Sequence, residues 1–529
     1  MIAKEVDDTE SRDSGGEPPR PFQVESYAGL LRSPAIPNCA RNATAGSPGT
    51  ARPVIDAIIV PTIRSPDHLA SVVELARSAR CQLVVLYTHD VPRDVSSVLA
   101  RLSPDRVTVL ALRSGATHHL LDLATDLPQS QVSAAALDIS RKRNLGLLIG
   151  RACGWKSMLF LDDDIRSLSI IKLRSAASLL DQYPVVGLQV SSYPDASVVG
   201  HARRLSRLSG RRQMLFISGG SLLVNPQLLR GFFPPVYHED WLCIIEHLKH
   251  GEVAIGGQVG QLAYEPFTTA QRARHEEFGE VLASGLLWLV HANKRIGATL
   301  FSADDSEYWQ RATRESFWSE VLEQRAILLD DIAERLEPIC EPDSEGSPLK
   351  SVRAAQLRRD ELSPREFVSF MEEWLDNLEL WRIKYSNVRK TDSVAKAVVE
   401  LGLVHVVRTY EADRSPLRAA VSRLLADGRA SSVRAGAALA CLGRKIQGAA
   451  VRGAQPDKTE KGGHPIGRPP LSAHHDGGPR LGRLVPGRSP AGRVQRPAGG
   501  GEQAEDENGG AAAGQQQPVG VAGGHEPGR

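Results

Sequence analysis

This chain of 529 residues has few aromatic residues, no marked excess of positive or negative charge, and no long apolar runs. Phe, Trp and Tyr make up only 5% of the sequence, which argues against a platform for stacked nucleic-acid bases. The 64 Lys and Arg residues nearly balance 62 Asp and Glu residues, so overall charge does not favour nucleic acid as a partner. No stretch approaches the roughly 18 apolar residues of a membrane span. We therefore expect a soluble protein without a transmembrane segment.

Cysteine is also rare, and its placement indicates a reducing compartment. The six cysteines are scattered, without the close pairs typical of zinc sites, which predicts reduced thiols. The first residues, Met1 to Asp8, are acidic and lack the apolar centre of a secretory signal. We therefore expect a cytoplasmic location.

Composition and periodicity divide the chain into four predicted segments. Residues 1–52 are rich in Gly, Pro, Ser and charge, which predicts a disordered lead. Residues 53–270 alternate strand and helix signals, and residues 271–446 have mainly helical periodicity. Residues 447–529 contain almost no large apolar side chains, so they cannot offset the entropy of ordering and are predicted to be disordered.

The alternating segment predicts an α/β fold with a mostly parallel sheet covered by helices on both faces. Strands are predicted at 56–60, 82–87 and 106–112, with a helix at 67–78. Ligands on such sheets bind beyond the carboxyl ends of the strands. Polar residues follow several of these ends and are expected to form one rim: Thr62, Arg64, Thr88, Asp90 and Asp162 to Asp164.

The remaining elements are predicted from the same periodicities. Strands are expected at 185–190 and 214–217, after which Gly219-Gly220-Ser221 should interrupt the pattern. Helices are expected at 140–153, 281–292, 316–336, 365–381 and 393–410, with weaker signals at 417–425 and 433–442. Four tryptophans at helical spacing are expected to pack in a core rather than to stack on sugars: Trp288, Trp318, Trp374 and Trp381.

Three consecutive carboxylates, Asp162, Asp163 and Asp164, end the apolar run that begins at Met158. Such carboxylates repel one another unless positive charge lies among them. Mg²⁺ or Mn²⁺ is suited to the place, because hard cations prefer carboxylate oxygens and leave positions open for substrate phosphates. A solvated acidic turn or a helix N-cap is the alternative.

The helix before this run carries a second motif. Arg143-Asn144-x-Gly146 lies on the predicted helix, and Gly154 is expected to end it just before the strand that carries the acids. Together with Asp162 to Asp164 these residues resemble the core of GT-A glycosyltransferases. The likeness is strongest to the inverting, family 2-like group with an Arg-Asn-x-Gly helix before a D-x-D strand end. It covers about residues 54–270.

This resemblance implies a GT-A (Rossmann-like) domain, followed here by a mainly helical domain, and a metal-dependent reaction. A sugar would pass from a nucleoside diphosphate sugar to an unidentified acceptor hydroxyl, with inversion. Mg²⁺ or Mn²⁺ would stabilise the charge that grows on the leaving diphosphate. By correspondence, Asp164 would bind the metal directly, Asp162 would contact the ribose or metal, and Asp163 would contact sugar hydroxyls.

The resemblance also implies contacts to the donor and acceptor. The loop after the first strand would wrap the nucleotide, and Arg64 suits phosphate through its planar guanidinium. Gly219 and Gly220 resemble a small-residue loop that lets substrates approach the backbone, with an ordinary turn as the alternative. The remaining implied donor contacts are Pro61, Thr62, Asp90, Arg143 and Asn144. The alternative for Asp90 is an acidic loop residue without a specific role. The alternative for Arg143 and Asn144 is a role in capping and packing.

His238-Glu239-Asp240-Trp241 resembles the E-D motif at the start of a helix in this group. Asp240 is the expected acceptor of the hydroxyl proton, with Glu239 second, and an acidic N-cap is the alternative. His275 is the expected additional metal ligand by its order along the chain, in competition with three others: His247, His250 and His291. The helical region after residue 300 would shape the acceptor site or form a homodimer contact.

Two other functions stay open from the sequence. A nucleotidyltransferase could use a related sheet with Mg²⁺, but residues 61–66 lack the glycines of the usual phosphate loop. A non-catalytic GT-A-like scaffold could bind partners through its helical half.

Overall fold

A mixed β-sheet is the centre of the fold in a computed structural model of the protein. The structure describes residues 27–34, 54–88, 90–123, 133–191, 197–206, 217–263, 265–295, 308–341 and 344–410. Nine strands lie within these ranges: β1 Ala57–Pro61, β2 Gln82–Thr88, β3 Val107–Leu112, β4 Met158–Leu161, β5 Ile165–Arg166, β6 Val185–Val190, β7 Ile217–Val224, β8 Val253–Gln261 and β9 Val407–Tyr410.

The order of the strands is β5-β8-β6-β7-β4-β1-β2-β3-β9. Neighbours from β4 to β3 are parallel, as is the β6–β8 pair. The pairs β4–β7, β6–β7, β5–β8 and β3–β9 are antiparallel. The α/β class is thus confirmed, whereas the prediction of a mostly parallel sheet holds only for the half that contains β1.

Helices cover both faces of the sheet, as predicted. Within the described ranges they are α1 Ala70–Ala79, α2 Val95–Leu99, α3 Ala134–Ala152, α4 Ile170–Ala177, α5 Val198–Leu205, α6 Glu239–Lys249, α7 Ala270–Arg295, α8 Glu315–Leu336, α9 Pro348–Glu361, α10 Pro364–Ser386 and α11 Val394–Glu400. Alternate strand residues point to opposite faces. Ile59 therefore packs in the core beneath α3 and α6, whereas Ile58 packs in the core beneath α1 and α4.

Close contact between α3 and the sheet depends on a glycine. A Cβ at Gly146 would lie 2.9 Å from side-chain atoms of both Ile59 and Phe160. Because native cores leave no room for such an overlap, a larger residue would push α3 outward. Gly146 therefore determines how near the polar residues of α3 come to the ends of β1 and β4.

The later helices share a core with the sheet. Trp374 and Trp381 of α10 are fully buried in the same apolar cluster as Phe160 of β4, and Trp288 and Trp318 are buried there too. The Tyr385 hydroxyl donates to the Leu147 carbonyl at 3.2 Å. All described residues belong to one compact unit. The tryptophans are thus packing residues, as predicted, and the role of this region in acceptor binding or dimerisation stays a prediction.

The predicted helix at 393–410 is wrong in its second half. After α11, Gly402 adopts a left-handed conformation (φ +71°), which ends helical hydrogen bonding. A 3₁₀ turn, Leu403–His405, leads into β9, which pairs antiparallel with the edge strand β3. Helical periodicity misled here because pairing with a distant edge strand overrides local preference.

The structure differs from the prediction in three further places. Gly219-Gly220-Ser221 does not interrupt the sheet, because it lies inside β7. Helix α3 begins at Ala134, earlier than predicted, since the Ser133 hydroxyl accepts a hydrogen bond from the Ala136 amide as an N-cap. The predicted lead contains an ordered segment, in which the Arg32 amide donates to the Val253 carbonyl at 2.8 Å.

The predicted tail at 447–529, the helices at 417–425 and 433–442, and most of residues 1–52 lie outside the described residues. In the part of the chain that is described, no helix is both long and apolar enough to cross a membrane.

Candidate functional site

The ends of β1 and β4 place Thr62 and Arg64 against the aspartate triplet. The Thr62 hydroxyl donates to Asp163 Oδ2 at 2.5 Å. Arg64 Nη1 lies 3.0 Å from Asp163 Oδ1, and its Nη2 lies 3.4 Å from Asp164 Oδ2. The part of the predicted polar rim formed by Thr62, Arg64, Asp163 and Asp164 is therefore present. The Asp163 carboxylate is engaged on both oxygens, so a contact to sugar hydroxyls would have to share or replace these partners.

Asp164 differs from its neighbour in having an unused oxygen. Its Oδ2 accepts from the Gln261 side chain at 3.3 Å and faces Arg64. Its Oδ1 is buried and has no hydrogen-bond partner. A buried carboxylate oxygen without a donor is unfavourable unless a ligand supplies positive charge. Asp164 is therefore the side chain of the triplet best prepared for a ligand.

Arg143, on α3, joins two parts of the site. It is 4% exposed, and its Nη2 lies 3.3 Å from both oxygens of Asp162. Its Nη1 donates to Glu239 Oε1 at the start of α6. Burial alone would lower the pKa of Arg143, but Asp162, Glu239 and Asp240 outweigh it and raise the pKa. The guanidinium is therefore a permanent cation between the triplet and the E-D pair.

Gly219 and Gly220 of β7 leave room for the side chains of Arg143 and Asp162, which pack directly against them. A Cβ at Gly219 would overlap Arg143 Nη1 and lie 2.7 Å from its Cζ. At Gly220 a Cβ would lie 2.5 Å from Asp162 Oδ2. The glycines were predicted to let substrates approach, but in this structure the atoms they admit are those of Arg143 and Asp162.

Glu239 and Asp240 begin α6, and each is held by a different partner. Asp240 Oδ2 accepts from the Gly219 amide at 2.6 Å, and its Oδ1 accepts from the Trp241 amide at 2.8 Å. Burial raises the pKa of Glu239 to about 7, with Arg143 opposing and Asp240 adding to the shift. Burial also raises the pKa of Asp162, against the attraction of Arg143.

The raised pKa of Glu239 predicts a specific pH dependence of stability. A carboxyl group with a raised folded-state pKa stabilises the protein fully below its unfolded pKa, here near 4.5, and loses that contribution as pH rises toward 7. We expect Glu239→Gln to make the decline of stability with rising pH shallower. Urea unfolding of both proteins between pH 4.5 and 7.5 measures it, with the exposed Glu74→Gln as control. Parallel profiles for wild type and Glu239→Gln would contradict the assignment.

A second cationic contact, which the sequence analysis missed, lies beneath the loop after β1. The Lys142 ammonium is 1% exposed and donates to the Thr62 carbonyl at 2.9 Å and to Asp138 Oδ2 at 2.6 Å. Asp138 Oδ1 in turn accepts from the Thr88 hydroxyl at 2.5 Å. Burial lowers the pKa of Lys142. This series of hydrogen bonds connects the ends of β1 and β2 to α3. The adjacent basic residues at 141–143 were its only signal in the sequence.

Asn144 is placed differently from its predicted donor contact. It is fully buried, and its amide bonds both the carbonyl and the N–H of Phe233, each at 2.8 Å. These two bonds fasten the segment before α6 to α3. The structure therefore gives Asn144 the packing role that was the alternative.

Replacing Asn144 by Ala is expected to lower the free energy of unfolding by about 2–4 kcal/mol, because two buried backbone groups lose their partners. Urea unfolding measures the change. The matched control is Asn387→Ala, which removes an exposed amide bonded at 2.8 Å to the Ile383 carbonyl and should change stability by under about 0.5 kcal/mol. Equal effects for the two variants would contradict this reading.

The other predicted residues lie around the site or away from it. Pro61 is the buried last residue of β1, and Asp90 is exposed beyond the end of β2. His275 is exposed on α7, with its Nε2 3.0 Å from the Gln271 amide. Of the competing histidines, His247 is fully buried against Glu252, with its Nδ1 2.8 Å from Glu252 Oε2.

The charges and ligand types of the site suit a cation, although no complete ligand set is assembled. In the described ranges, no three His, Cys, Asp or Glu side chains are grouped as ligands of one ion. The predicted set Asp162, Asp164 and His275 is therefore not brought together. Yet the described ion pairs give the carboxylates of Asp162 to Asp164 and Glu239 only two cationic partners, the guanidinium groups of Arg64 and Arg143.

The arrangement gathers carboxylates, one with an oxygen that lacks a donor, around two guanidinium groups, and Glu239 among them has a raised pKa. Comparison with models of known protein families gives no match, and no curated protein matches the chain.

Proposed function

We propose that this protein is a GT-A-type glycosyltransferase that moves a sugar from a nucleoside diphosphate sugar to an acceptor hydroxyl, with inversion. The observation that supports it is the excess of carboxylate over cationic groups beyond the ends of β1 and β4, where α/β sheets bind ligands. Asp164 Oδ1, buried without a donor, marks its least satisfied point. A diphosphate would be repelled here unless a cation accompanied it.

The residues fit Mg²⁺ or Mn²⁺ in the way these ions are usually held. Mg²⁺ commonly takes one or two protein carboxylates, and substrate phosphates and water complete its shell. Asp164 would hold the cation, with Asp162 as the second carboxylate. The cation would supply charge stabilisation to the departing diphosphate. Arg64, with a side chain 42% exposed, is the proposed phosphate partner.

Asp240 is the proposed acceptor of the hydroxyl proton, and Glu239 is second. Each Asp240 oxygen accepts one backbone N–H and keeps a further lone pair. The pKa of Glu239, about 7, suits a group that exchanges a proton near neutral pH. The proposed donor contacts otherwise follow the strand ends: Pro61, Thr62, Asp90 and Asp163.

A thermal-shift panel of UDP, GDP, ADP, CDP and dTDP, each with and without Mn²⁺, tests the proposal. At saturating concentrations we expect at least one diphosphate to raise Tm by roughly 2–5 °C, and only with the cation. No shift with any of them would contradict the proposal. Pyrophosphate release from a nucleoside triphosphate and a sugar phosphate would instead indicate a nucleotidyltransferase.

A further inference from the structure

The residue before the E-D pair has an unusual backbone conformation. His238 adopts φ +65° and ψ +30°, the left-handed region that few residues other than glycine occupy. His238 is the N-cap of α6, and its backbone conformation sets the orientation of the first two helical residues, Glu239 and Asp240. Such a conformation persists only where the surroundings enforce it.

A buried ionic chain from α7 and α8 holds the His238 side chain. The imidazole Nε2 lies 3.0 Å from Glu280 Oε1, and Glu280 Oε2 lies 3.7 Å from Arg325 Nη1. Arg325 is itself fixed by two hydrogen bonds to Glu277, of 2.8 and 2.7 Å. Arg325 and Glu277 are almost completely buried. The end of this ionic chain at Arg325 is therefore held in place by a buried partner, Glu277.

The backbone before His238 is confined from the same side. A Cβ at Gly279 of α7 would overlap the Tyr237 carbonyl oxygen, so α7 lies directly against this segment. On its other side the segment continues into Glu239, bonded to Arg143, and Asp240, bonded to the Gly219 amide. Helix α7 thus contacts the segment before Glu239 both through the His238–Glu280 pair and through its backbone at Gly279.

We propose that His238 and Glu280 are positioning residues that hold the Glu239 and Asp240 carboxylates against Arg143 and Gly219. The inference rests on the proposed function for its catalytic consequence. It concerns Glu280 of α7 and Arg325 of α8, neither of which the sequence singled out. Neither residue is proposed to touch substrate; they act through the backbone turn that begins α6.

Two variants and a matched control separate this role from general support of the fold. Glu280→Gln keeps the shape of the side chain but removes its charge. His238→Asn keeps a residue that tolerates the left-handed region but removes the imidazole. The control is Glu252→Gln, because Glu252 forms the same kind of pair with His247, at 2.8 Å, near the opposite end of α6.

Hydrogen exchange of the Gly219 and Trp241 amides reports the position of Asp240 directly, because both donate to its carboxylate. Hydrolysis of UDP-glucose and GDP-mannose with Mn²⁺ reports turnover. For Glu280→Gln and His238→Asn we expect faster exchange at both amides and a kcat lower by about 10- to 100-fold, with donor KM within about 2-fold. Glu252→Gln should change neither.

Unchanged exchange in Glu280→Gln and His238→Asn overturns the inference, as does an equal effect of Glu252→Gln. Faster exchange with unchanged kcat also overturns it. If wild-type protein binds no diphosphate and hydrolyses no donor, the proposed function fails, whereas the exchange measurement still decides whether the pair positions the carboxylates.

Discussion

Replacing Asp164 by Ala is expected to weaken Mn²⁺-dependent binding of nucleoside diphosphates by at least about 100-fold, since loss of even an outer-shell partner commonly costs 10- to 100-fold. The fold should be retained. Asp164 is one of three adjacent carboxylates, and its Oδ1 has no hydrogen-bond partner. Removing it relieves repulsion among the carboxylates and gives up only the long Oδ2 contacts to Gln261 (3.3 Å) and Arg64 (3.4 Å), so the free energy of unfolding should change little.

Calorimetric titration of wild type and Asp164→Ala with UDP and GDP in Mn²⁺ measures the loss of binding. Urea unfolding of the same proteins measures the change in stability. Asp181→Ala, at an exposed aspartate of the 3₁₀ turn Ser178–Asp181, is the control for loss of one negative charge and should bind as wild type does. Undiminished Mn²⁺-dependent binding or turnover in Asp164→Ala would count decisively against the proposed function.

Replacing Gly219 by Ala is expected to lower turnover by about 100-fold while the protein still folds. The new Cβ would overlap the end of the Arg143 side chain and lie 3.0 Å from the Cβ of Asp240. A guanidinium at the end of a flexible chain can move aside, which keeps the sheet intact. Moving it separates Arg143 from Asp162 and Glu239, so the loss falls on the site.

Gly260→Ala in β8 is the matched control, because a Cβ there meets its nearest atom, Ser167 Oγ, at an ordinary 3.4 Å. Turnover of a donor sugar nucleotide and thermal unfolding should be measured for both variants. A Gly219→Ala protein with normal turnover would show that the contact between Arg143 and Glu239 is dispensable. Loss of folding in that variant would show that Arg143 cannot move.

Much of the sheet could be predicted from the sequence because strand signals are local. β1, β2, β3 and β6 lie where apolar runs indicated them, and each buries residues on both faces. The failures occurred where a distant partner decides the outcome. Val407–Tyr410 becomes β9 because β3 offers an open edge, and Gly219 stays in a strand because β4 and β6 pair with both sides of β7.

Part of the candidate site followed from the same local reasoning. Thr62 and Arg64 meet Asp163 because the carboxyl ends of parallel strands lie on one edge. The roles of Lys142 and Asn144 did not follow, since each contacts a backbone group far away in the chain. A pattern of residue types does not show which of the five consecutive polar side chains at 140–144 on α3 faces which partner.

The sequence by itself determined the alternation of strands and helices, the aspartate triplet at the end of β4 and the polar residues after β1. These features depend on neighbours within a few residues, where periodicity and residue type are sufficient. Only the tertiary structure decided that Arg143 joins Asp162 to Glu239, which is 96 positions away, and that Glu280 holds His238. The reason is physical: these pairs join residues on separate helices and strands, so no pattern among neighbours in the sequence specifies them.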